Sequence, residues 1–188
     1  MNRKISILFL LIIFVMTGIF IYNEQFSADA IKKKIVNQKG YTIELQKENV
    51  PIEFFIKSDW IPLSSEEPLK IDEIVYTDDQ INVVLMEVMK RDKHLNFSFD
   101  AKNRLNRKSG DLLVNYTINP DGGITTKSGI DDIQLFDKNH NKIETDGIGM
   151  GPDEMFGFNI EQGKYSTIKD GFYVRYNVLN KYSYKKIK

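Results

Sequence analysis

The chain has 188 residues, 26 basic and 26 acidic side chains, a formal net charge of zero and no cysteine. Neutral balance supplies no global field for nucleic acid. Absence of cysteine excludes disulfide scaffolds, thiol nucleophiles, CxxC redox chemistry and cysteine-ligated zinc. Aromatic residues make up 12% and hydrophobic ones 41%, which suits a packed core rather than a disordered chain.

Ile5 to Tyr22 carry no charged side chain, and Arg3 and Lys4 stand directly before them. At about 1.5 Å per residue this run makes a helix of roughly 27 Å, just long enough to span a hydrocarbon core of about 30 Å. Ser6 and Thr17 are its only hydroxyl residues, and a helix satisfies such groups through its own carbonyls. Positive charge before the run, with Glu24 and Asp29 first after it, places the N-terminus in the cytoplasm and the remainder outside. The lysines at 32–34 weaken that asymmetry. A cleaved signal peptide is the competing reading, because Ala28-Asp29-Ala30 has the form of a cleavage site. Either way, residues 1–23 are an anchor or signal segment. Residues 24–40 are polar and read as a stalk or a short helix leading off the membrane.

From Tyr41 to Lys188 the pattern predicts one all-β domain. Tyr41, Ile43 and Leu45 alternate with polar residues, as in a half-buried strand. Pro51 is expected to interrupt before a second run, Ile52 to Ile56. The prolines and serines of 58–68 predict a loop. Leu69–Tyr76 and Ile81–Met89 flank the turn residues 77–80 and form the clearest hairpin. Further strands are expected around Leu95–Phe99, Leu112–Ile118, Ile133–Phe136 with Ile143, Met155–Ile160 and Phe172–Val178. Tyr182, Tyr184 and Lys186 suggest a last strand at a sheet edge. About nine short strands result, and no segment after residue 40 shows a helical period. Such spacing favours an antiparallel sandwich or barrel.

Four constellations invite chemical readings. Asp137, Asn139 and Asn141 imitate the start of a calcium loop, but Lys142 stands where glycine is needed and Ile148 where glutamate is needed. The pattern therefore reads as a hairpin turn. Lys102, Arg104, Arg107 and Lys108 form a basic loop, with Arg91 and Lys93 one strand earlier; they are candidate ligands for an anionic polymer or headgroup. Without interleaved aromatics they do not suit nucleic acid. Trp60 beside Pro62 is a candidate exposed aromatic for a groove, with Tyr182 and Tyr184. His94 and His140 stand in no metal or triad spacing. The acidic pairs at 72–73, 78–79, 131–132 and 153–154 read as solvated turns or opposite strand faces. The glycines of 147–152 do not join a strand to a helix, so no dinucleotide loop is expected. These readings assign no catalytic residue, metal site or cofactor.

Residues 69–85 and 133–143 resemble hairpins of the immunoglobulin-like extracytoplasmic modules found in bacterial membrane and secreted proteins. The resemblance extends over about 65–180 and lacks the cysteine pair of antibody-type domains. It implies an immunoglobulin-like antiparallel β-sandwich with a binding or scaffold role. The function expected is that of a membrane-tethered, non-enzymatic binding, sensor or accessory domain, with a protein or anionic envelope polymer as partner. The alternative is a secreted or anchored hydrolase of envelope glycans or peptides.

Overall fold

The structure, a computed structural model, describes residues 3–62, 67–126, 132–151 and 154–187; the side chains of 3–8 and 24 lie outside that description. Parts of the 58–68 loop, the acidic pairs 131–132 and 153–154 and the 147–152 segment fall outside it as well: Ser64, Ser65, Asp131, Pro152 and Asp153. Helix α1 (Arg3–Phe26) and helix α2 (Ala28–Val36) lead, among the described residues, into twelve strands. These are β1 (Tyr41–Ile56), β2 (Leu69–Thr77), β3 (Ile81–Arg91), β4 (His94–Asn103), β5 (Ser109–Val114) and β6 (Tyr116–Ile118). There follow β7 (Ile124–Thr126), β8 (Ile133–Phe136), β9 (Lys142–Ile143), β10 (Gly147–Met150), β11 (Phe156–Glu161) and β12 (Phe172–Lys186).

Two five-stranded antiparallel sheets hold the body in a sandwich-like arrangement. One has the order β1-β12-β8-β9, with β5 also on β12; the other runs β10-β11-β4-β3-β2. A small β6–β7 ribbon completes the count among the described residues. Alternation writes the interior: Leu95, Phe97, Phe99 and Ala101 of β4 are buried, and so are Phe156, Phe158 and Ile160 of β11. Phe97 stacks on Phe158 at 5.1 Å and Phe99 on Phe156 at 4.9 Å, while Phe172 meets Phe97 edge-on at 5.4 Å. Such pairs add about 0.5–1.5 kcal/mol each beyond the area they bury.

The predicted hairpin at 69–89 is present as β2 and β3, paired to Thr77↔Asn82. Asp78 makes the turn: its Oδ1 accepts from the amides of Gln80 (2.7 Å) and Ile81 (2.8 Å). Pro51 does not split β1. The strand absorbs it through register shifts between Leu45 and Ile52, at an edge where a missing amide costs no ladder bond. The run expected over 112–118 is two strands, β5 and β6, parted at Asn115. Residues 147–150 form β10, and Tyr165–Ile168 make a short helix. There are more strands than the nine expected, because β7, β9 and β10 are too short to show an alternating pattern.

The largest correction concerns the two ends of the chain. Tyr182 and Tyr184 do not lie on an edge strand. They belong to β12, which pairs with β1 along one side and with β8 and then β5 along the other. Their rings are buried, together with Leu112, Val114 and Tyr116, under α2. Of the two readings of 24–40, residues 28–36 form the short helix and not a free stalk: Ile31, Ile35 and Val36 are buried in this second core. Gly171 closes the turn into β12 at φ +94°, where an added Cβ would lie 2.6 Å from the Ile56 carbonyl oxygen. Only glycine meets both demands.

Candidate functional site: the junction of helix and sandwich

Between Phe9 and Tyr22, α1 exposes apolar side chains around its whole circumference. Phe9 to Met16 and Ile19 to Tyr22 are exposed, Phe14 by 80%. Thr17 returns its hydroxyl to the Ile13 carbonyl at 2.8 Å, as expected for a helix that hides its polar groups. Among the described residues no single helix is long and apolar enough to cross a membrane; Phe9–Asn23 and Ala28–Val36 pass together as a pair bent by 42°. The two members differ in kind, because α2 buries its isoleucines against the sandwich and carries three successive lysines. α2 is part of the body, and the unsatisfied apolar surface belongs to α1.

The bend between them is built from capping chemistry. Ser27 has an extended backbone, accepts from the Ala30 amide at 3.1 Å, and donates its hydroxyl to the Asn23 carbonyl at 2.7 Å. It starts α2 and ends α1 at once. Asp29 in the first turn and Lys33 and Lys34 in the last suit the helix dipole. At the far end the Lys39 amide bonds to the Lys34 carbonyl (2.8 Å) and the Gln38 amide to Ile35 (3.0 Å), with Gln38 at φ 55°. This is a Schellman stop, which turns the chain into β1.

One contact ties the two helices together and two more lock the junction to the sandwich. Lys34 Nζ donates to Gln25 Oε1 at 2.7 Å. The Arg107 guanidinium lies 4.5 Å over the Phe26 ring and donates to the Phe26 carbonyl at 3.4 Å. The cation thus sits at the negative end of α1. Lys32 of α2 is ion-paired with Glu154, in the loop between β10 and β11. Glu154 is 2% exposed and Lys32 14%. Glu154 also holds φ 63°, a conformation costly for a residue with a Cβ. Beside this pair a cleft of about 330 Å³ is lined by Ala28, Asp29, Lys32, Asp100–Asn103, Leu105 and Glu154. The tyrosines beneath are wired to loops. Tyr41 donates to the Arg107 carbonyl at 2.9 Å, and Tyr182 accepts from the buried Ile118 amide at 2.9 Å. Tyr184 donates to the Asn106 carbonyl at 2.8 Å, and its burial raises the phenol above its ordinary pKa.

The candidates from the sequence do not converge. Arg107 and Lys108 stand at the α2 end of β1, whereas Trp60 lies four residues beyond the other end. A strand of β1's length separates them by roughly 45–50 Å. Trp60 packs partly buried against the main core with Lys57 over its ring. Lys102 lies on β4, paired with Asp100 at 3.3 Å. Arg104 donates to Thr77 Oγ1 and Asn82 Oδ1, both at 2.8 Å. The Asp137 loop is a hydrogen-bonded hairpin turn, its carboxylate accepting from Asn139 and from Asn141. His94 meets Asp146 on an exposed surface, and His140 stacks on Tyr173. Among the described residues no three histidine or acidic side chains are grouped to hold a metal. The pair at 153–154 was expected to be solvated, but Glu154 is buried against Lys32; neither the role of Lys32 nor that of Ser27 was expected from the sequence. Ser27 ahead of Ile31, Ile35 and Val36 was the available signal, masked by the lysines between them.

What this assembly does chemically is join one exposed apolar helix to a β body through a capped, hydrogen-bonded bend. No protein-family model, no curated protein and no solved structure matches the chain.

Proposed function

We propose that the chain is a membrane-tethered, extracytoplasmic, non-enzymatic module: an immunoglobulin-like sandwich carried on a single-pass anchor and acting as a binding, sensor or accessory domain. The observation that carries this reading is α1. Twelve large apolar side chains between Phe9 and Tyr22 face outward on every side of the helix. Leaving them in water costs on the order of 20 kcal/mol, more than the whole stability of a domain this size. A lipid phase removes that cost. Arg3 and Lys4 ahead of the run support an N-terminus in the cytoplasm and a body outside. The paired five-stranded sheets support the immunoglobulin-like assignment, and the lack of cysteine is compatible with it outside antibody-type domains.

Retention of the anchor is supported by the junction. Cleavage after Ala30 would cut within the first turn of α2 and remove its Ser27 cap. The test is fractionation of cells expressing the full chain, with sequencing of its N-terminus and protease treatment of intact cells. The expected outcome is an alkali-resistant membrane protein whose body is shaved from outside. A chain beginning at Ile31 would overturn the anchor, and full-length protein in the cytosol would overturn the reading altogether. In-cell crosslinking from the body then identifies the partner.

A further inference from the structure

The end of the sandwich from which α1 departs carries a segregated set of cations. Lys33, Lys39, Arg107, Lys108, Lys185 and Lys186 are exposed there. Backbone bonds fix their neighbourhood: the Lys186 amide donates to the Lys108 carbonyl at 2.7 Å, the Ile187 amide to Gly40 at 2.9 Å, and Tyr41 to the Arg107 carbonyl. Among the described residues none of the six has a carboxylate within ion-pair distance. Among the described residues the exposed acids of this end are Asp29, Glu44 and Asp121, the last in the turn that packs on Asn37 and Gln38. In a chain of zero net charge this is a local excess, not a general one. The same end carries Tyr22 and Phe26, exposed, with rings 6.2 Å apart at the last turns of α1, and Arg107 covers the second of them.

We infer that this end of the body is a membrane-surface collar that seats on anionic phospholipid headgroups. The inference rests on α1 lying in the bilayer. Given that, Tyr22 falls at the depth where tyrosine rings meet headgroups, with Phe26 one turn on and the cations following directly above. Lysine and arginine near an anionic surface each gain about 1 kcal/mol, which is about fivefold in partitioning, and the attraction falls off within a Debye length. The collar and α1 are continuous through Arg107 and the locked bend, so the helix delivers the cations to the surface. The body is then held against the lipid rather than swinging above it.

The chain has no cysteine, so one introduced thiol labels one place. Full-length protein is reconstituted in nanodiscs of phosphatidylcholine, alone or with about a quarter phosphatidylglycerol, and labelled through Ser109→Cys, beside the collar, or Phe14→Cys, within α1. A headgroup-linked quencher reads the first and an acyl-chain quencher the second. Quenching at residue 109 is expected to be at least about twofold stronger in anionic discs. It should lose that excess in about 0.5 M salt and in the Lys108→Glu/Lys186→Glu variant. Equal quenching in both lipids, with residue 14 reporting insertion, overturns the collar and leaves the anchor standing. A residue 14 label that stays in water overturns the anchor and the collar together. Protection of the residue 109 label by added polyphosphate, without any effect of lipid charge, assigns the cations to a polymer and also overturns the collar.

Discussion

The two cores of this molecule are built on different principles. The main one lies between the sheets and is aliphatic and phenylalanine-rich, with Phe97, Phe99, Phe158 and Phe172 fully buried. It is held by area and ring stacking, and its polar atoms are few. The second lies under α2 and uses Tyr41, Tyr116, Tyr182 and Tyr184 among its aliphatic members. Each of Tyr41, Tyr182 and Tyr184 spends its hydroxyl on a loop or strand-end backbone group. Asn180 marks the frontier on β12: it is buried, donates to the Tyr116 carbonyl at 3.1 Å and separates Leu179 of the first core from Tyr182 of the second. Area alone builds a rigid platform. The tyrosine core does something further, since it fixes loops and recruits a helix, and that helix carries the apolar α1.

The comparison is broken most severely in the main core. Phe99→Ala should cost about 3–5 kcal/mol, because the stacked neighbours Phe156 and Phe158 cannot close the space. Chemical denaturation should show the whole body losing stability as one unit. The next largest effect belongs to the junction. Glu154→Ala removes the charge-assisted bond between Glu154 and Lys32, at a cost of about 2–3 kcal/mol. That loss should fall on α2, seen as faster amide exchange at 28–36, while β4 and β11 keep their protection. Loss of protection everywhere would merge the two regions into one.

A smaller effect sharpens the role of the tyrosine hydroxyls. Tyr182→Phe keeps the ring but strands the buried Ile118 amide, costing about 1–2 kcal/mol. The same exchange at Tyr22 in α1 should leave the melting of the body unchanged. The smallest effect lies at the far tip, in the β8–β9 turn. Hydrogen bonds from the Asn141 side chain first, then from the backbones of Asn141 and Asn139, hold the Asp137 carboxyl below the ordinary carboxylate range. The stabilisation this gives is complete above the unfolded carboxyl's pKa and fades as pH falls through the lowered native one. Asp137→Asn should therefore melt slightly earlier than the parent at neutral pH, with the gap closing in acid. A gap that persists at the lowest pH would assign the effect to shape rather than charge.

Much of the main core was legible in the sequence for a physical reason. Alternation in Leu95–Phe99 and Phe172–Val178 reports a face directly, and Asp78 and Asp137 mark turns through their own side-chain bonds. The second core was not legible. Its members come from residues 31 to 184, and although Leu112–Ile118 alternate, nothing local joins them to Tyr182 and Tyr184 or to α2; Ile31, Ile35 and Val36 are embedded in a lysine-rich segment that looks solvated. Tyr182 and Tyr184 followed by lysines imitate an edge strand, because sequence shows the charge but not the α2 and β5 that cover the rings. For the candidate site, the basic residues at 102–108 were visible as a run. Chain geometry sends Lys102 to a strand, Arg104 to a turn and Arg107 to the helix junction. The irregular edge of β1 was foreshadowed by Pro51, though its effect is a bulged strand and not a break.

The claim on which the rest depends is that α2 is folded into the body, so that α1 leaves it at a fixed angle instead of on a loose stalk. Amide hydrogen exchange on the full-length protein in nanodiscs measures this directly. The account predicts that residues 31–36 exchange as slowly as β5 and the C-terminal half of β12, with which they share a core. Exchange of 31–36 at the rate of an unstructured peptide, while those strands remain protected, would contradict it.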